Sequence, residues 1–153
     1  MVKIVKDMLT NVTKGLSKLP EFNKSTVTCV HNLCQLETIQ NLLRRREASL
    51  YNALVNKMGD LRSNGKSPYD ILMKHVSDEM QDLATSYGER IAMEQSILAV
   101  NTKLESPEYK RILSTHFKIY GIEVILNNLG FFLYEEAISV DAAKQLREKY
   151  REL

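Results

Sequence analysis

Apolar residues recur in steps of three and four along nearly the whole chain, which is the period of one helix face. Ile4, Val5, Met8, Leu9, Val12 and Leu16 make a first stripe over about Val2–Leu19, closed by Pro20 and the polar residues after it. A second, longer stripe starts after Ser25 or Thr26. It runs through Val27, Val30, Leu33, Cys34, Leu36, Ile39, Leu42, Leu43, Leu50, Leu54 and Met58 towards "RSNGKSP". Asn64 and Gly65 suit a left-handed helix end. Ser67, Pro68 and Asp70 then read as cap, first position and first-turn acid of a third helix.

That third helix carries Ile71, Leu72, His75, Val76, Met80, Leu83, Tyr87, Ile91, Glu94 and Leu98, close to a heptad seam in which Glu94 is the exception. "SPEY" repeats the start signal with Ser106, Pro107 and Glu108. A fourth helix follows through Ile112, Leu113, His116, Phe117, Tyr120, Val124 and Leu126, ended by "NNLG". Ser139 caps a fifth, amphipathic helix through Ala143, Leu146 and Tyr150. No alternating strand pattern, repeat, low-complexity tract or internal boundary interrupts the series. The pattern predicts an all-α chain: an antiparallel helical bundle of about five helices in one domain over residues 1–153, with short connections that favour antiparallel neighbours.

Composition adds little and excludes some classes. A chain of 153 residues, 44% hydrophobic and 26% charged, is long enough for a core without staples. A net charge of +2 gives no global field for nucleic acid or an anionic membrane. No run reaches the ~18 apolar residues of a membrane span. The lysine-dotted start lacks the continuous apolar core of a secretory signal, so the sequons at Asn11 and Asn23 carry little weight. Cys29 and Cys34 would lie about 140° apart on a helix and read as reduced, part-buried thiols.

Candidate chemistry is sparse. His31, His75 and His116 fall on three different helices, and no Glu-x-x-His motif accompanies them. "CVHNLC" lacks zinc-knuckle spacing, so structural histidines are expected rather than a metal site. Arg44, Arg45 and Arg46 form the densest positive run. They are expected on a solvated helix face or in ion pairs between subunits, because no interleaved aromatics point to nucleic acid. No P-loop, dinucleotide fingerprint or G-x-S-x-G is present. Glu135 and Glu136 are adjacent and point apart on regular structure.

The stretch "YGIEVILNNLGFFLYEEAIS" concentrates aromatics around a glycine. Asn128 and Gly130 are expected to end the fourth helix, Gly130 by a positive φ. Phe131, Phe132, Leu133 and Tyr134 would then plug the space between helices, and any exposed remainder would form an interface.

This stretch resembles the C-terminal helical domain of acyl-CoA oxidases, which often carry an N-x-G-x-F-L element. Here it reads "NLGFFLYEEAIS", with Asn128, Gly130, Phe132 and Leu133 on the pattern. "NGKSPYDI" at 64–71 is similar to the family's Gly-Lys-Ser break between two long helices. "DLATSYGERIAMEQSIL" at 82–98 is similar to its next helix. The likeness spans about residues 25–153, in order. It departs where the family often has a Gly-aromatic-Leu turn and this chain has Glu136, Ala137 and Ile138.

The resemblance implies a parent enzyme that uses FAD to oxidise acyl-CoA to trans-2-enoyl-CoA, reducing O2 to hydrogen peroxide in peroxisomal fatty-acid β-oxidation. It covers only the last part of such an enzyme. The flavin-binding domain and the segment with the catalytic glutamate have no counterpart in these residues, so no catalytic residue is assigned. The chain ends in "REL" and not in a Ser-Lys-Leu type signal. The implied partners are the remaining oxidase domains or a second subunit, with acyl-CoA as the parent's substrate. The chain alone is expected to be inactive. The rival reading is a stand-alone, non-enzymatic helical interaction protein.

Overall fold

A computed structural model describes residues 22–152. The first predicted helix, about 2–19, lies outside the described residues. The described elements are α1 (Val30–Leu33), α2 (Leu36–Ser63), α3 (Pro68–Asp70), a π-helical turn (Ile71–His75), α4 (Ser77–Lys103), α5 (Pro107–Asn127), α6 (Leu129–Tyr134) and α7 (Val140–Glu152). The protein is all-α. The long helices α2, α4 and α5 pack on one another, and α1, α6 and α7 close one end.

The apolar stripes became the core. Leu33, Ile39, Leu42, Leu43, Met93, Ile122, Ile125, Phe132, Ile138 and Leu146 form the main cluster. Leu54, Ile71, Val76 and Leu83 form a second cluster at the other end of α2. Gly121 lets α5 approach closely. A Cβ there would collide with the Ile39 side chain of α2 and stand 3.1 Å from Met93 Cε of α4.

The caps follow the sequence closely. The end of α2 is a Schellman motif, with Gly65 at φ 76°, Gly65 N–H donating to Arg62 O and Lys66 N–H to Leu61 O. Ser67 Oγ accepts from Asp70 N–H, and Ser139 Oγ accepts from Ala142 N–H. Ser106 holds the cap position of α5 without a side-chain capping bond.

Two predicted helices are broken. The second was expected to run unbroken from about residue 26. Instead Val27 forms a parallel bridge with Ile138: its N–H donates to Ala137 O, and its carbonyl accepts from Ser139 N–H. Those two groups are therefore unavailable to a helix, and the chain kinks again at Gln35, whose ψ is 135°. The third helix is interrupted by the π turn, where Val76 N–H reaches back to Ile71 O. Residues five apart on a regular helix diverge by about 140°. The wider turn brings both Ile71 and Val76 into the second cluster.

Candidate functional site

The Asn128–Ser139 joint is built from the end of α5 outward. Asn128 Nδ2 donates to Val124 O, and Asn128 O accepts from Phe131 and Phe132 N–H, so the chain turns directly from α5 into α6. Gly130 sits inside α6, and its α-carbon has open space around it. The left-handed residue is Glu136, at φ 51°. The expectation for Gly130 is thus corrected: the chain continues helically through it and reverses six residues later.

That reversal is a second Schellman motif. Ala137 N–H donates to Phe132 O at 2.8 Å and Glu136 N–H to Leu133 O at 3.1 Å. Phe132 is 0% exposed and meets Phe131 edge-on at 5.4 Å between ring centroids. Phe131 and Leu133 are half-buried against the main cluster. Tyr134 does not join them: it is 86% exposed, because it lies on the outer side of the short helix.

Side chains from elsewhere clasp the reversal. Thr26 Oγ1 donates to Glu136 O at 2.7 Å. Arg45 of α2 donates to Glu135 O and, at 3.0 Å, to Lys24 O. Ser49 Oγ donates to Glu135 Oε1 at 3.0 Å.

The other two arginines of the run turn inward, which corrects the expectation of a solvated or intersubunit face. Glu47 is 0% exposed, and Arg46 and Arg90 are buried with it between α2 and α4. Both Glu47 oxygens accept from Arg90. Arg90 Nη1 also donates to Glu94 Oε2 at 2.8 Å, and Glu94 Oε1 accepts from Arg44 Nε at 2.6 Å. Arg46 pairs with Glu89 on the flank. Burial works against the Arg90 charge, but the Glu47 hydrogen bond and the fields of Glu47 and Glu94 outweigh it and raise its pKa. The Tyr87 ring lies 5.4 Å from the Arg90 guanidinium carbon.

The histidines stay apart. His31 Nε2 meets Gln35 Nε2 at 3.3 Å, and His116 Nδ1 meets Ile112 O at 3.1 Å. Among the described residues no three His, Cys, Asp or Glu side chains gather as metal ligands. Cys29 is exposed, Cys34 half-buried, and both are free thiols. Burial raises the Cys34 pKa, opposed by the charges of Lys149 and Lys118.

An open cavity of about 460 Å³ lies between residues 23–28 and α2, lined by Asn23, Thr26, Asn32, Thr38, Asn41 and Arg44 among others. Asn23 and Asn41 join across it through backbone-to-side-chain bonds of 2.8 and 3.1 Å. A smaller apolar hollow of about 200 Å³ lies between Met58, Arg62, Ile71 and Leu72.

The described residues, then, are all-α. The buried charges between α2 and α4 are paired, and Phe132 fills the joint. Residues 35–153 match the family model described as acyl-CoA oxidase, and the chain belongs to the acyl-CoA oxidase family. No curated protein and no solved structure matches it. The family implies FAD in the parent enzyme. Gly65 serves a helix stop, Gly121 a helix contact, and neither hollow is lined by the glycine-rich turn that receives a pyrophosphate.

Proposed function

We propose that this chain acts as the C-terminal helical domain of an FAD-dependent acyl-CoA oxidase. The parent reaction is acyl-CoA plus O2 giving trans-2-enoyl-CoA and hydrogen peroxide, in peroxisomal fatty-acid β-oxidation. The chain's own part is structural: it packs against the flavin-bearing and catalytic domains and helps a dimer form. The observation that carries the reading is the family match over residues 35–153. The joint at Asn128, Gly130, Phe131, Phe132 and Leu133 holds the last helix on the bundle and leaves Tyr134 facing outward for a neighbouring domain or subunit. The flavin would supply the redox chemistry.

The test is reconstitution. The purified chain is assayed for acyl-CoA-dependent peroxide formation alone, then with the separately expressed flavin-bearing part of an acyl-CoA oxidase. The proposal expects no activity alone, and binding with restored turnover on mixing. A folded chain that engages no oxidase part would overturn it and leave a stand-alone interaction protein.

A further inference from the structure

Beside the core, α2 and α4 present an apolar flank to solvent. At ~100° per residue, Tyr51, Val55 and Met58 share one side of α2 with Arg44, while Tyr87, Ile91 and Leu98 share one side of α4 with Glu94. The bond between Arg44 and Glu94 sets these two sides next to each other. Val55, Tyr87 and Leu98 are 44%, 45% and 53% exposed. Arg44 and Glu94 neutralise each other, so the flank offers hydrocarbon without net charge. A hollow bounds it at either end: the larger reaches Asn41 and Arg44, the smaller Met58 and Arg62.

The chain itself carries a segment of matching length and pattern. Residues 2–19, outside the described residues, have Ile4, Val5, Met8, Leu9, Val12 and Leu16 at helical spacing on one side. Lys3, Lys6, Lys14 and Lys18 fall on the other. The point from which this segment departs is fixed. Asn23 is bonded to Asn41 in both directions, and Lys24 O accepts from Arg45. Residues 20–22 span at most about 11 Å, so the segment has to start from the Arg44 end of the flank. Eighteen helical residues cover about 27 Å, and α2 from Asn41 to Met58 covers about 26 Å.

We propose that the α2–α4 flank is the docking face for residues 2–19 of the same chain. The segment lies antiparallel to α2, with Leu16 towards Arg44 and Val5 towards Val55. Its apolar stripe covers the flank, and its lysines stay in water. The proposal does not depend on the oxidase reading.

Disulfide trapping in the full chain tests the docking. With Cys29→Ser and Cys34→Ser as background, Val12→Cys with Tyr87→Cys should trap within one chain, as should Val5→Cys with Val55→Cys. Val5→Cys with Leu98→Cys joins opposite ends of the flank and should not trap. Failure of either of the first two pairs overturns the proposal, and so does equal trapping in the third. Bonds between chains also overturn it, and give the flank to a second copy.

A variant without added cysteines checks the same point. Val55→Asp with Leu98→Asp changes only exposed positions, so the bundle should keep its circular dichroism and melting. The two carboxylates would face the apolar stripe and undock it. Trypsin cleavage after Lys6 and Lys14 should then speed up by at least about tenfold, because it follows the population of the open segment. Unchanged cleavage there overturns the docking. An equal rise after Lys57 and Arg62 overturns it as well, since that would mean a loosened bundle.

Discussion

The carboxylate of Glu47 on α2 is sealed from solvent, and both its oxygens are held by the guanidinium of Arg90 on α4. Removing one partner leaves the other charged and buried. Arg90→Met is therefore expected to cost about 3–5 kcal/mol in urea unfolding, while Glu47→Leu with Arg90→Met should recover most of that loss. A double-mutant cycle measures the difference. A single variant within ~1 kcal/mol of wild type would contradict the buried pairing.

Phe132 fills the space between α6, α7 and the main cluster without exposure. Phe132→Ala should lose about 3–5 kcal/mol. Tyr134→Ala, two residues on but facing solvent, should change stability by no more than about 0.5 kcal/mol. Equal losses at the two positions in chemical denaturation would show that the aromatic run does not divide in this way.

Glu136 takes the left-handed position of its Schellman motif at φ 51°, where a side chain costs roughly 1–2 kcal/mol. Its bond from Thr26 runs to the backbone carbonyl, so a glycine would keep it. Glu136→Gly is expected to stabilise by up to about 1 kcal/mol, since the gain is offset in part by glycine's unfolded-state entropy. A fall in Tm would count against a strained reversal.

At Gly121, α5 comes close against Ile39 of α2. The Ile39 methyl in the way belongs to a β-branched, fully buried side chain that has little room to move. Gly121→Ala should destabilise by about 1–3 kcal/mol despite alanine's better helix propensity. Gly130→Ala, in open space inside α6, should instead gain a few tenths to about 1 kcal/mol. Thermal melts of the two variants side by side give opposite signs if the packing is as described.

Burial holds the Cys34 thiol above its ordinary pKa, against the pull of Lys149 and Lys118. The folded state thus binds this proton more tightly than the unfolded chain. Its stabilising contribution is complete below the ordinary thiol pKa and is lost as pH rises through the raised value. Iodoacetamide labelling followed by mass spectrometry should show Cys34 reacting more slowly than exposed Cys29. Its rate-versus-pH curve should lie to the alkaline side of a free thiol's, and a curve at or below the free-thiol position would refute the shift.

Helix existence, the helix stop at Gly65 and the caps at Ser67 and Ser139 were legible in the sequence because each depends on residues a few positions apart. The breaks at Gln35 and Val76 were not, since they are imposed by tertiary partners. Val27 is claimed by residues 137 and 139, and Ile71 and Val76 are drawn together by a shared cluster. Gly130 misled for a related reason. Glycine is the favoured left-handed residue, yet here the chain reverses at a glutamate whose carbonyl is fixed by Thr26. The inward turn of Arg44 and Arg46 went unread because a run of arginines normally marks solvent. The available signal was Glu94, a carboxylate on an apolar seam, which called for a cation on the facing helix.

The bridge between Val27 and Ile138 sets an order of assembly. Thr26 and Glu136, beside it, lie 110 residues apart in sequence, so closing this contact from an open chain means ordering a very long loop at once. Once the α2–α4 and α4–α5 hairpins exist, most of that loop is already folded and the closure is short. The bridge is therefore expected to form late, after the three long helices have met.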